Sequence, residues 1–525
     1  MTFYPDFDNW DIFTLGITSQ CIDAGDPNSP LDPDGTRADL GVHYFHQQVD
    51  KIEIVSYDLN SIYLSEQVNV SMDIRTNRNT FISGIADSIE IASANGLGSF
   101  SDVVESNNKY NFVYTPTGIG IDTIIVAYNE AVLQPVDNLT VSITDHYAGN
   151  TCYVSQSLGD DFVGNGNSDS PFLSIHRALR ALDNGDTLGF KNGTYITGNE
   201  NYDKVFTLLS VNGVDSATVY FQEGGWSLSD TTGKDLKFID INTQNMILNA
   251  QDFNELVIQN SHLDMNNVYT SSEQVTISNS VVSGGNNADF ISENDFIVNE
   301  SSMENISNSG LFIQAENFHL ENSGISGNSS ATFDIENTFT DSSNSFSSNS
   351  NISIEASNLS SHSTVFSNNS QSTINYNDGT WDDNQFHNNG NLKFIGSVEV
   401  SHLVSTNNYG SLEIQSAGSM VIDSSLFENN DASALELDNV NNAVIKNSNF
   451  KENANGGIYM YDSDNVRITK VYGEMNIAES GGFIRMFNSS EVVIDSIVAF
   501  NNHANGDGGA IYISNSNGNG TELRV

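Results

Sequence analysis

Carboxylates are the side chains of this sequence with the most scope for chemistry, and they concentrate in two places. Near the start, Asp23, Asp26, Asp32, Asp34 and Asp39 lie within one turn-rich stretch. Calcium takes about six to eight oxygens from flexible turns, so this group is the candidate metal site. It lacks the full EF-hand spacing and the closing Glu, and the competing reading is that its aspartates close Asx turns. Farther on, Trp381-Asp382-Asp383 sets an aromatic beside two carboxylates. Two carboxylates can flank a glycosidic bond and a ring can stack on a sugar, so these three are candidate glycan-binding residues. Here the competing reading is an exposed turn.

The remaining reactive side chains form no recognisable set. His262, His319, His362, His387, His402 and His503 show no metal-ligand spacing such as i, i+4 on a helix, and each reads as a solvent-facing strand or turn residue. Tyr459, Tyr461, Phe483, Phe487 and Tyr512 suit either a sugar-binding face or core and lateral stacks. Cys21 and Cys152 fall in different segments, open to a bridge or to two unpaired thiols. No motif requires a cofactor, and calcium is the one ion the sequence offers.

The composition narrows the partners. Lys and Arg number 18 against 67 Asp and Glu, a net charge of −49. Phosphate binding needs basic patches, so nucleic acid is excluded as a partner, and anionic membrane surfaces with it. No apolar run is long enough to cross a bilayer. The charge itself has two readings: a surface that stays hydrated in salt, or one that binds divalent cations.

These residues must be positioned by β structure. Over 49–148, apolar residues alternate: Ile52 and Ile54; Val68, Val70, Met72 and Ile74; Phe112 and Tyr114; Leu139, Val141 and Ile143. Period-two runs between polar turns predict about seven antiparallel strands in a sandwich. After Cys152-Tyr-Val-Ser, Ser170 and Pro171 are good helix-start residues, and Phe172, Ile175, Leu179 and Leu182 share one helical face, which predicts a short helix near 171–183. Farther on the chain repeats. Val282, Met303, Ile325, Phe346, Phe366 and Phe386 recur every 20 to 22 residues, and Phe427, Phe450 and Phe500 continue the series. Asn328, Asn349, Asn369, Asn389, Asn430, Asn453 and Asn502 follow in step. That period means stacked units. Ser, Asn and β-branched residues dominate, which favours a parallel β-helix over a leucine-rich repeat, with asparagine amides stacked in ladders at the turns.

Three segments carry resemblances. The run Cys21-Ile-Asp-Ala-Gly-Asp26, with Asp32-Pro-Asp-Gly-Thr36 and Asp39-Leu-Gly41, resembles the tail that closes a β-helix in large secreted bacterial proteins. Tyr110-Asn-Phe-Val-Tyr-Thr-Pro116 with Asp122-Thr-Ile124 resembles bacterial immunoglobulin-like modules, without the cysteines and core Trp of antibody domains. The order Cys152 strand, glycine-rich loop, helix, Gly185-Asp-Thr187 and Gly193-Thr-Tyr195 resembles the opening of pectin-lyase-like right-handed β-helices. The expected organisation is therefore all-β: 1–48 the tail of a preceding β-helix, 49–148 an Ig-like sandwich, and 149–525 a long right-handed parallel β-helix opened by a capping helix. The first residues have no signal-peptide pattern, and both ends read as cuts through a longer chain.

The resemblance implies an exported or cell-surface bacterial protein. One reading is a non-catalytic module for adhesion or glycan contact, its partners extracellular glycans or cell-surface components, neutral rather than acidic. The alternative is a polysaccharide lyase or glycoside hydrolase on the same scaffold. Polygalacturonases of this fold use an Asp-Asp pair, but their neighbouring Asn-Thr-Asp, Gly-His-Gly and Arg-Ile-Lys motifs are missing, and Arg467-Ile-Thr-Lys470 is a superficial echo of the last. Residues 238–392 contain neither Lys nor Arg, and a polyuronate lyase must neutralise a substrate carboxylate.

Overall fold

The computed structural model describes residues 7–9, 14–15, 19–32, 37–41, 49–57, 61–64, 66–76, 81–128, 139–144, 147, 149–222, 224–415, 418–514 and 522–524. By internal contact the chain divides into two units, 1–149 with 160–172, and 150–159 with 173–525.

The alternating segments of the first unit form two sheets. One orders Val49–Tyr57, Val68–Thr76, Lys109–Pro116 and Gly98–Phe100, with Val104–Ser106 also on Lys109–Pro116. The other orders Ser61–Tyr63, Leu139–Thr144, Gly120–Tyr128 and Ile89–Ser93. Their inward residues share one core that includes Val68, Val70, Met72, Ile74, Phe112, Tyr114, Ile124, Val141 and Ile143. The side chains of Ile52 and Ile54 lie outside the described residues. One pairing departs from the antiparallel expectation: Ser142 to Thr144 run parallel to Ser61 to Tyr63. Asp122 is buried on the interior strand Gly120–Tyr128 and accepts from Tyr114 Oη at 2.7 Å, the Asn95 amide at 3.0 Å and the Thr123 amide at 2.9 Å. This carboxylate ties three segments together, and its hydrogen bonds with Ser93 and Tyr114 hold it ionised below the usual carboxylate range despite its burial.

The second unit is a parallel β-helix of about 14 coils. Its helix spans Ile175–Ala181, shorter than expected and later in starting. Ser174 caps it, its Oγ accepting from the Arg177 amide at 3.1 Å. Ser170 and Pro171 cannot start a helix because their carbonyls are already used by the amides of Gly166 and Asp160, at 3.0 and 3.1 Å. The helix buries Ile175, Ala178 and Leu179, and Lys204 Nζ donates to the carbonyls of Leu179 and Leu182 at 2.6 Å each, a cation at the negative helix end.

Each coil contributes a strand to three parallel ladders. The first runs from Thr151–Val154 through Thr187–Phe190, Leu236–Ile239 and the later coils to Glu522–Arg524. The second includes Val281–Ser283, Ser302–Glu304 and Gly324–Ser326. The third includes Asn287–Ser292 and the residues from Gly310 that follow it. Inward side chains of the second ladder stack in register: Val282, Met303, Ile325, Phe346, Phe366, Phe386, Ser405, Phe427, Phe450 and Gly473. Phe346 on Phe366 and Phe427 on Phe450 stack with ring centroids 4.7 Å apart, the coil spacing of about 4.8 Å itself. Phe500 does not belong to this series. It pairs with Glu474 and is exposed, because Gly473 pairs with Ala499. The space above Gly473 is filled by Phe483, whose ring would lie 2.4 Å from a Cβ at that glycine.

The turns are held by two internal polar ladders. Asn328, Asn349, Asn369, Asn389, Asn408, Asn430, Asn453, Asn476 and Asn502 pass Nδ2–H to Oδ1 from coil to coil at 2.7 to 3.2 Å. Each Oδ1 from Asn349 onward also accepts the backbone amide of the asparagine below, so amides enclosed at the bend are satisfied. At another bend Ser261, Ser280, Ser301, Ser323, Asn344, Thr364 and Asn384 repeat the device. The residue before each of these takes a left-handed conformation: Asn260, Asn279, Glu300, Asn322, Ser343, Ser363 and Asp383.

Candidate functional site

Trp381, Asp382 and Asp383 occupy three different environments. In a strand successive side chains point to opposite faces, and the strand Gln371–Asp382 turns Trp381 inward to 1% exposure. Its ring lies 4.8 Å from that of Phe394 and 5.7 Å from that of Phe366. The expected aromatic beside a surface carboxylate is therefore a core side chain. Asp382 faces outward, and Asp383 sits in the left-handed bend, where its Oδ2 accepts from Ser363 Oγ at 3.1 Å. The two carboxylates point to different neighbours and do not converge.

Asp382 meets two histidines instead. Pairing in register places His362, Asp382 and Ser401 side by side on consecutive coils. His402 donates Nδ1–H to Asp382 Oδ1 at 2.9 Å, Ser401 Oγ donates to the same oxygen at 2.7 Å, and His362 Nδ1 lies 3.4 Å from Oδ2. The hydrogen bond with His402 holds Asp382 below the usual carboxylate range, and the same bond raises His402 above the usual imidazole range. The signal in the sequence is a separation of one coil: residues about 20 apart are neighbours in a solenoid, and a search for i, i+4 pairs does not see them. This row can exchange a proton, and it can hydrogen-bond a sugar hydroxyl.

Beneath it, Asp341 takes the inward position that Leu320 holds one coil below. It is buried, and Thr364 Oγ1 and Ser361 Oγ donate to its Oδ1, the latter at 2.9 Å, while Oδ2 has no partner. Burial pushes its carboxyl up to about 7.

Beside this face runs an open edge of the solenoid, where the third strand of each coil turns into the first strand of the next. Three depressions follow it. One of about 450 Å³ is lined by Thr232, Asp252, Asn254, Ser272, Glu273 and Glu293. Another of about 300 Å³ is lined by Asp334, Glu336, Glu355, Ser357 and Asn377. The third, about 380 Å³, is lined by Asn358, Asp378, Thr380, Ser397 and Glu399. Apolar side chains complete the linings, among them Phe253, Ile335, Leu359, Val398 and Val421, and no Lys or Arg is among them.

The early aspartates are engaged in turns. Asp26 Oδ1 accepts from the Asn28 amide at 2.9 Å, Asp32 Oδ2 from the Asp39 amide at 3.0 Å, and Asp39 Oδ1 from the Asp23 amide at 2.7 Å. Asp23 Oδ1 has no partner, and Asp34 lies outside the described residues. Among the described residues no three His, Cys, Asp or Glu side chains are grouped as a metal would need. Cys21 and Cys152 are buried free thiols, the second pushed up to about 12 by burial. No helix among the described residues is long and apolar enough to cross a membrane.

Of the late aromatics, Phe483 is buried. Tyr459, Tyr461, Phe487 and Tyr512 lie on the outer face of the third ladder, Tyr459 and Tyr512 in register with Arg485 and Tyr461 in register with Phe487.

A family model described as right handed beta helix region matches residues 396–524. Among solved structures, the chain is similar to the A-module of the mannuronan C-5 epimerase AlgE4 of Azotobacter vinelandii, with 12% identity over 71% of this chain and 100% of that one, at a TM-score of 0.31. It is similar to the catalytic unit of a thermostable GH87 α-1,3-glucanase from Streptomyces thermodiastaticus, with 10% identity over 87% and 89%, at 0.38. Tailspike protein 3 of bacteriophage CBA120 aligns with 9% identity over 71% and 61%, at 0.29. No curated protein matches.

Proposed function

We propose that this chain is a non-catalytic extracellular scaffold that holds a linear, uncharged glycan along the open edge of its β-helix, with the two-sheet sandwich as an Ig-like spacer. The observation that carries the reading is the row of three depressions on one edge, in which carboxylates, hydroxyls and amides stand among apolar side chains. Carboxylates accept from sugar hydroxyls in charge-assisted bonds, and their field repels polyanions. Electrophoresis in gels containing soluble neutral polysaccharides tests it. Retardation that weakens when Glu336→Gln, Glu355→Gln and Asp378→Asn are combined supports the role, and retardation by polyuronates but not by neutral chains sinks it.

The second reading is a carbohydrate-active enzyme, and the Asp382–His402 pair favours it. Release of reducing or unsaturated ends from a polysaccharide, lost with Asp382→Asn, would establish that reading in place of the first.

A further inference from the structure

The outer face of the third ladder changes chemistry near its last coils. Its outward columns carry Lys393, Glu413 and Glu436 on one side and Gln415 and Asp438 on the other. These positions then become Tyr459 and Tyr461, Arg485 and Phe487, and finally Tyr512. The rings touch one another rather than fold inward: Tyr459 and Phe487 meet edge to face at 5.9 Å, and Phe487 and Tyr512 meet at a tilt, 5.6 Å apart. Tyr461 is 41% exposed.

Arg485 lies among them, its guanidinium carbon 4.0 Å from the Tyr459 ring centre and 5.9 Å from that of Phe487. In a chain of net charge −49, Lys237, Lys393, Lys446 and Arg467 each pair with a carboxylate. Arg485 has no carboxylate partner among the described residues. Stacking on rings holds a guanidinium plane in place while leaving its edge donors free.

From this juxtaposition we propose that Tyr459, Tyr461, Arg485, Phe487 and Tyr512 form a second glycan subsite, which takes neutral pyranose rings of a chain running across the coils. The weakly positive C–H face of a pyranose lies on the negative faces of the rings. The edge donors of Arg485 reach its hydroxyl oxygens. Charge complementarity selects the neutral sugar: one guanidinium does not offset the carboxylates of Glu436 and Asp438 on the coils below, so a polyanion is repelled. The patch spans three coils, about 10 Å at the coil spacing, which is room for a short run of sugars and too little for a stable protein interface.

The subsite rests on the glycan-holding role proposed above but lies on a different ladder from the edge depressions, so the two separate experimentally. The probes are cellohexaose, xylohexaose and maltohexaose, with hexagalacturonate as the charged control, followed by calorimetric titration and saturation-transfer NMR on the whole chain. We expect a neutral hexasaccharide to bind and its affinity to fall at least tenfold with Arg485→Gln and with Tyr461→Ala. Arg485→Lys, which keeps the charge and loses the planar fork, should fall between. Circular dichroism identical to wild type excludes misfolding, and both side chains lie outside the core. If the combined edge variant abolishes binding while Arg485→Gln and Tyr461→Ala leave it unchanged, the subsite is refuted and the scaffold role stands. If wild type binds hexagalacturonate more tightly than every neutral probe, or binds no neutral probe, the subsite and the role fail together.

Discussion

Asp341 should make the β-helix less stable at neutral pH than at acid pH. Its carboxyl is raised from an ordinary 3.8 to about 7 by burial, which outweighs the hydrogen bonds from Ser361 and Thr364 that pull it down. A carboxyl that holds its proton more tightly folded than unfolded contributes fully below the unfolded value. The contribution is lost as pH rises from about 4 towards 7, and the loss levels off above that. About three pH units at 1.36 kcal/mol each set an upper bound of about 4 kcal/mol, reduced by whatever water reaches the unpartnered Oδ2. The acid form is neutral, so Asn is its isostere: in Asp341→Asn the amide oxygen would keep both hydroxyl donors while the amide nitrogen replaces the protonated oxygen. The measurement is the denaturant midpoint of the β-helix transition for wild type and Asp341→Asn at pH 4.5 and pH 8, in high salt to screen the global charge. We expect Asp341→Asn to be ahead by no more than about 1 kcal/mol at pH 4.5, where the unfolded carboxyl is already mostly ionised, and the gap to widen towards the upper bound of about 4 kcal/mol at pH 8. A variant no more stable than wild type at pH 8 would refute the reasoning, because it would mean that ionised Asp341 is solvated inside the coil.

Asn389→Ala removes two acceptor interactions with Asn369 and frees the Phe366 carbonyl, and should cost about 2–4 kcal/mol in the same unfolding assay. In the sandwich, Asp122→Ala leaves Tyr114 Oη and two backbone amides without their acceptor and should cost a similar amount, with Tyr114→Phe costing about 1 kcal/mol. NMR titration should place His402 above the ordinary imidazole value, falling back with Asp382→Asn, since the hydrogen bond to Asp382 is the main cause of its shift. Asp26, Asp32 and Asp39 each accept from a backbone amide, so calcium should raise the melting temperature no more than sodium chloride of equal ionic strength; a calcium-specific rise lost with Asp32→Asn would assign an ion there.

The solenoid is legible in the sequence because its apolar and asparagine positions recur at nearly constant spacing. Asn408 and Asn476 escape that reading where the marker in the second ladder is Ser405 or Gly473 rather than an aromatic, so an alignment on phenylalanines steps over those coils. Phe500 enters the series wrongly for the same reason, one residue out of register and on the opposite face. Local propensity favours a helix start at Ser170-Pro171, and loop hydrogen bonds that sequence does not display move it to Ser174. Period-two alternation in the strand ending at Asp382 already separates Trp381 from its neighbour, which the composition of the motif obscures. The His362–Asp382–His402 row becomes visible only when separations of one coil are converted into contacts.

The most direct measurement of the scaffold role is equilibrium binding of neutral hexasaccharides to the whole chain, followed by mass spectrometry of the recovered sugar after prolonged incubation. Saturable binding with the oligosaccharide recovered intact is the predicted result. Shortened or chemically altered sugar, or the absence of binding to any neutral probe, would contradict it.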